Sequence, residues 1–98
     1  LVTQIEERHI NTLFELMKAK NFSKVREWVA ENLAAGVDPP EIIDGIYTGI
    51  KDYVTLQSYM QIILLLAQYQ HYAATCADQE VNSVALAIEV MMVAEWQS

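Results

Sequence analysis

The chain has 98 residues, 53% of them apolar and 19% charged, with a formal net charge of −7. That length builds one core and not two, and the composition is that of a folded chain rather than a disordered one. Six basic residues against thirteen acids are too few to grip a phosphate backbone, so duplex DNA is expected to bind weakly at most.

A capping box is expected at Thr3 and Glu6, opening a first helix. Behind it Ile10, Leu13, Phe14 and Met17 fall on one helical face, and Lys18 and Lys20 suit its C-terminal dipole. Asn21 can cap a second helix that turns Val25, Trp28, Val29 and Leu33 inward. "AAGVDPPE" ends it, with Gly36 fitted to a left-handed position and a third helix opening at Asp38. That helix is expected to bury Ile43, Ile46, Tyr47 and Ile50, and Gly45 and Gly49 give it a smooth side for another helix. Thr55 caps a long fourth helix running into the low 70s. A fifth opens near Asp78 and is expected to run almost to Trp96. Strand signals are almost absent, so the fold class is all-α, a single bundle of five helices.

Charge is divided unevenly. All six basic residues and nine of the thirteen acids lie in residues 1–52; residues 53–98 hold only Asp78, Glu80, Glu89 and Glu95. The stretch "LLLAQYQHYAATCADQEVNSVALAIEV" is helix, polar turn, helix, apolar nearly all the way round. A bundle of this size cannot bury two full helix circumferences, so part of both helices must be covered by something else.

Cys76 is the single cysteine and excludes an internal disulfide, which suits a reducing cytoplasm. "LVTQIEERHI" has no signal-peptide pattern, and the longest apolar run, residues 62–67, is too short to span a bilayer. The start at Leu1, without a methionine, is read as the edge of a piece of something longer.

Chemistry is sparse. The glycines Gly36, Gly45 and Gly49 form no phosphate-cradling loop, so neither ATP binding nor hydrolysis is expected of this chain. His71, Cys76 and Asp78 match no strong zinc spacing and lack a fourth ligand; a packed helix turn is the better reading. His9 with Glu6, and Glu41 with Asp44 and Asp52, read as solvated helix faces rather than as an acid–base pair or a cation site. Lys18, Lys20, Lys24 and Arg26, interleaved with Glu15, Glu27 and Glu31, read as a mixed-charge surface. Of Met91 and Met92, one can face the core while the other faces outward. No catalytic residue, cofactor or metal ligand is assigned.

"LVT" leading into a helix, "QYQHYAATCADQE" between the last two helices and the ending "AEWQS" resemble the C-terminal collar domain of a sliding-clamp loader small subunit. The likeness is to the T-even-type phage clamp loader, with replication factor C small subunits and bacterial gamma-type subunits as cellular relatives. It covers essentially residues 1–98 as one collar domain. Cellular members tend to carry an arginine where Tyr72 stands and a glycine where Cys76 stands, which favours a phage-type protein in a host cytoplasm. The resemblance implies that the parent subunit is an AAA+ ATPase using ATP and magnesium outside this chain. Its other domains would meet the sliding clamp and primer–template DNA during replication. The collar would hold the ring of clamp-loader subunits together, with no membrane role. The fourth and fifth helices would then form the subunit interface, through outward residues among Tyr59, Ile63, Leu66, Tyr69, Tyr72, Val84, Ile88 and Met92. Gln70, His71 and Asp78, in the polar turn 68–80, would bond across the rim. The alternative is a stand-alone helical adaptor that takes a partner helix in an apolar groove.

Overall fold

In the computed structural model, residues 7–97 are described, with side chains from His9 onward. The expected capping box at Thr3 and Glu6 lies outside them. Five α-helices follow in order: α1 (Glu7–Lys18), α2 (Phe22–Ala34), α3 (Pro39–Gly49), α4 (Leu56–Ala73) and α5 (Gln79–Val93). A 3-10 turn, Ile50–Asp52, joins α3 to α4.

Local chemistry sets the joints. α1 ends with Lys20 in the left-handed region at φ 58°, while the Asn21 amide donates to the Leu16 carbonyl and the Lys20 amide to that of Met17. This is the Schellman arrangement, which saturates the last carbonyls of a helix. Asn21 then caps α2 by accepting from the Lys24 amide at 3.3 Å. The same device recurs with Gly36 at φ 98°, where Val37 donates to Asn32. Here the residue type fits the backbone, because glycine has no Cβ to clash. Asp38 stands at the N-cap of α3 with Pro39 behind it, but its side chain makes no capping bond. Thr55 caps α4 by accepting from the Ser58 amide. Asp78 caps α5 by accepting from Glu80 and Val81.

The core is continuous. Ile10, Leu13, Phe14 and Met17 of α1 are all buried, as their spacing predicts. They meet Val25, Trp28 and Val29 of α2 and Ile42, Ile43 and Ile46 of α3. Leu33 packs against this core half-buried. The Trp28 indole donates to the His9 carbonyl at 3.1 Å, so its one polar atom is satisfied. Gly45 and Gly49 are where α1 comes close. A Cβ at Gly49 would lie 2.7 Å from the Phe14 ring, and one at Gly45 would lie 3.2 Å from Ile10.

One expectation is corrected here, and one element is completed. Tyr47 is not buried but 48% exposed; Ile42 takes the inward place beside Ile43, and Tyr47 stacks on Tyr59 at the surface. The fifth helix stops at Val93, short of Trp96. The chain there leaves the helix to pair with the start of α4. Val54 and Trp96 form an antiparallel bridge, Thr55 donates to Glu95, and Gln97 donates to Tyr53. Buried Ser58 anchors the strap: its hydroxyl donates to the Val93 carbonyl and accepts from the Glu95 amide at 2.9 Å. These bonds satisfy backbone groups that one more helical turn would otherwise have paired.

Candidate assembly surface on α4 and α5

α4 has no Asp, Glu, Lys or Arg anywhere along its 18 residues. Its inward stripe is Ser58, Ile62, Leu66 and Tyr69. The opposite side carries Leu56, Met60 and Leu64 on successive turns, with Leu56 75% exposed. α5 repeats the pattern: Ser83, Leu86, Ala87 and Val90 are buried, whereas Val81, Ile88 and Met92 face solvent. The two helices pack on each other, joined by the turn 74–78. Together they expose far more apolar surface than α1, whose outward side carries Thr12, Glu15 and Lys18. Exposed apolar side chains on two packed helices make this a candidate contact surface.

The residues expected at the interface divide into three groups. Tyr72, Ile88 and Met92 are exposed, as are Gln70, His71 and Asp78. Tyr59, Ile63 and Val84 are half-buried along the flanks. Leu66 and Tyr69 are corrected: at 3% and 7% exposure they belong to the chain's own core and cannot be the outward surface. They face inward because they continue the stripe begun by Ser58 and Ile62. The structure adds Leu56, Met60, Leu64 and Val81, which the sequence reading did not single out. A helix apolar all round gives no period from which to choose its outer side. The usable signal was glutamine: Gln57, Gln61 and Gln68 are all exposed and flank the apolar stripe. Met91 and Met92 divide as the spacing allows, the first half-buried against the core and the second open.

The flanks of α4 are aromatic. The Tyr59 hydroxyl donates to the Tyr47 carbonyl at 2.8 Å, and the two rings stack at 6.2 Å. Burial, helped by the neighbouring Tyr47, raises the Tyr59 pKa. On the other flank Tyr69 and Tyr72 meet edge to face at 5.3 Å. The Tyr69 pKa is raised first by burial, then by the negative charge of Glu89 and the hydrogen bond the hydroxyl donates to it, and then by Tyr72. Beside this pair lies a groove of about 410 Å³ walled by Tyr69, Tyr72, Cys76, Val81 and Ala85, with Asp78 at its edge. A smaller groove of about 220 Å³ runs between α3 and α4, beside Ile43, Tyr47, Ile63 and Gln70.

Among the described residues no cluster of three or more His, Cys, Asp or Glu side chains could hold a metal ion. His71 lies against the Tyr72 ring, and Cys76 is a half-buried free thiol. No helix among the described residues is long and apolar enough to cross a membrane. Comparison with known proteins returned no matching family model, no matching curated protein and no matching solved structure.

Proposed function

We propose that this domain is a subunit-assembly module, whose work is to hold copies or close relatives of itself together in a larger machine. The observation that carries this reading is the outward side of α4, which has no Asp, Glu, Lys or Arg from Leu56 to Ala73 and exposes Leu56, Met60 and Leu64 between glutamines. Each chain carries a net charge of −7, so two copies repel at long range, and a surface that brings no negative charge with it lessens that repulsion at contact. Covering one large apolar side chain contributes about 1.5–3 kcal/mol. Several are needed, because association itself costs ~4–15 kcal/mol in lost freedom. Leu56, Met60, Leu64, Val81, Ile88 and Met92 supply several.

The particular machine rests on the sequence resemblance. The turn "QYQHYAATCADQE" and the all-α bundle support a collar domain of a phage-type sliding-clamp loader small subunit. In that reading the ATP site, magnesium, clamp and DNA contacts belong to the parent's other domains, and the protein works in the host cytoplasm. The α3–α4 groove favours the second reading, a helical adaptor that takes a partner helix without self-association.

Sedimentation equilibrium of the purified chain separates the two. An assembly module gives a mass that climbs with protein concentration; a chain that remains a monomer up to millimolar concentration rejects it. The clamp-loader assignment is tested by reading the coding sequence upstream of Leu1. A phosphate-binding glycine loop followed by Lys and Ser or Thr supports it, and a start codon directly before Leu1 rejects it.

A further inference from the structure

α4 differs from the other helices in more than its apolar residues. Its side away from the core runs Leu56, Met60, Leu64, Ala67 and His71, all exposed. From Met60 onward these follow the alternating four- and three-residue steps with which one helix lies along another. Gln57, Gln61, Gln68 and Gln70 border the stripe and are exposed too.

Charge on a surface selects a partner of opposite sign, and every other helix carries some: Glu15 on α1, Lys24 and Glu27 on α2, Glu41 on α3, Glu80 on α5. α4 has no Asp, Glu, Lys or Arg. A surface that meets its own copy obeys a stricter rule, because every group must tolerate its like across the contact. Lysine facing lysine repels, and so does glutamate facing glutamate. Leucine facing leucine does not. A glutamine amide holds both a carbonyl acceptor and N–H donors, so glutamine can bond to glutamine. The chain carries a net charge of −7, and α4 is the one helix along which two copies meet without setting like charges side by side.

The order of sizes along the stripe sets a direction. Large side chains come first, at Leu56, Met60 and Leu64, and the small Ala67 comes after them. Parallel copies would set Ala67 on Ala67, and the gap between them would forfeit contact. Antiparallel copies set large on small: Leu64 rests on Ala67 of the other copy, and Met60 lies beside its His71. Gln61 of each copy then comes near Gln68 of the other. The opposed helix dipoles favour the same direction.

We propose that α4 pairs with α4 of a second copy of this chain, antiparallel, about a two-fold axis beside residues 64–67. The inference rests on the assembly reading and gives that surface its occupant. Both chains use the same patch, so the contact closes at two copies; joining such pairs into anything larger takes a second surface. The pairing runs along most of α4, which has 18 residues and a length of roughly 27 Å.

The test places thiols at Met60 and His71, both exposed, in a Cys76→Ser background so that the native half-buried thiol takes no part. Met60→Cys and His71→Cys are each checked for helicity by circular dichroism, then left to oxidise in air, alone and mixed. In the antiparallel pair residue 60 of one copy lies beside residue 71 of the other. The mixture should therefore cross-link at least about tenfold faster than either variant alone. Alone, like thiols stand roughly 16 Å apart along the pair at 1.5 Å per residue, too far for a disulfide. Fast cross-linking of Met60→Cys with itself would mean parallel helices and reject the arrangement. Equal cross-linking in all three samples, or none in any while the native chain associates, rejects the α4 pairing and leaves the assembly reading standing. A native chain that sediments as a monomer throughout rejects both.

Discussion

α1 buries Ile10, Leu13, Phe14 and Met17 and turns Thr12, Glu15 and Lys18 to water. α4 buries Ile62, Leu66 and Tyr69 and turns Leu56, Met60 and Leu64 to water. The inward stripes are alike in chemistry and depth; the outward ones are opposites. The outer side of α1 is finished by solvent, which hydrates its charges. The outer side of α4 is not, since water gains nothing from Leu56 or Leu64. Hydrophobicity therefore has two jobs in this molecule. In α1 through α3 it specifies the fold of one chain. In α4 and α5 part of it does that, and the remainder is surplus to the chain's own core.

Substitutions that strike the first job should be costly whatever the chain assembles with. Phe14 is fully buried and packs on Tyr53 with ring centroids 5.1 Å apart. Phe14→Ala should lower stability by about 3–5 kcal/mol, enough to unfold much of a small domain. Urea denaturation followed by circular dichroism measures it, and a loss below 1 kcal/mol would contradict the packing. Gly49→Ala strikes the same contact from the other side. Alanine normally favours a helix over glycine by roughly 1 kcal/mol. Here the added Cβ would lie 2.7 Å from the Phe14 ring, and Phe14 has no room to retreat. Overpacking costs about 1–3 kcal/mol, so it should win and leave a net loss. A stabilised Gly49→Ala would mean that α1 and α3 are less closely apposed.

These inward positions were largely legible in the sequence, and the outward ones were not, for one reason. Ile10, Leu13, Phe14 and Met17 stand out by period because polar residues fill the gaps between them. Between Leu56 and Ala73 no charged residue marks the wet side, so Leu66 and Tyr69 could be mistaken for outer residues. Tyr47 misled in the opposite direction: its spacing suits the α3 stripe, but Ile42 supplies the inward atom and the phenol stays wet. The Asn21, Gly36 and Thr55 joints were readable from residue type. Lys20 was not, since nothing about lysine announces a left-handed backbone. The strap at Trp96 depends on Ser58, distant in sequence, and no local pattern encodes that meeting.

Lys20 provides a smaller and opposite effect within the charged half. A non-glycine residue in the left-handed region carries roughly 1–2 kcal/mol of steric cost. Lys20→Gly should recover about 1 kcal/mol in the isolated domain, seen as a rise in Tm, less what the unfolded chain gains from glycine's freedom. No gain in Tm would mean the Schellman joint already absorbs that cost.

The smallest expected change in stability is the most informative about α4. Leu64 is 69% exposed and on the side away from Ile62 and Leu66. Lysine and leucine have nearly equal helix propensity, and an exposed site tolerates either. Leu64→Lys should therefore move the unfolding free energy by no more than about 0.5 kcal/mol. Ile88→Lys is a less clean choice, because Ile88 is only 38% exposed. Assembly should respond quite differently. If a neighbouring copy covers Leu64, the variant forces an ammonium group out of water with no carboxylate on α4 to pair with it. Self-association would then fall by at least about tenfold while the monomer kept its fold. A large drop in Tm would show that Leu64 supports its own chain, and the contrast with α1 would shrink. Unchanged folding together with unchanged association would leave the outer side of α4 as apolar surface that simply stays wet, and the surplus would not be an interface.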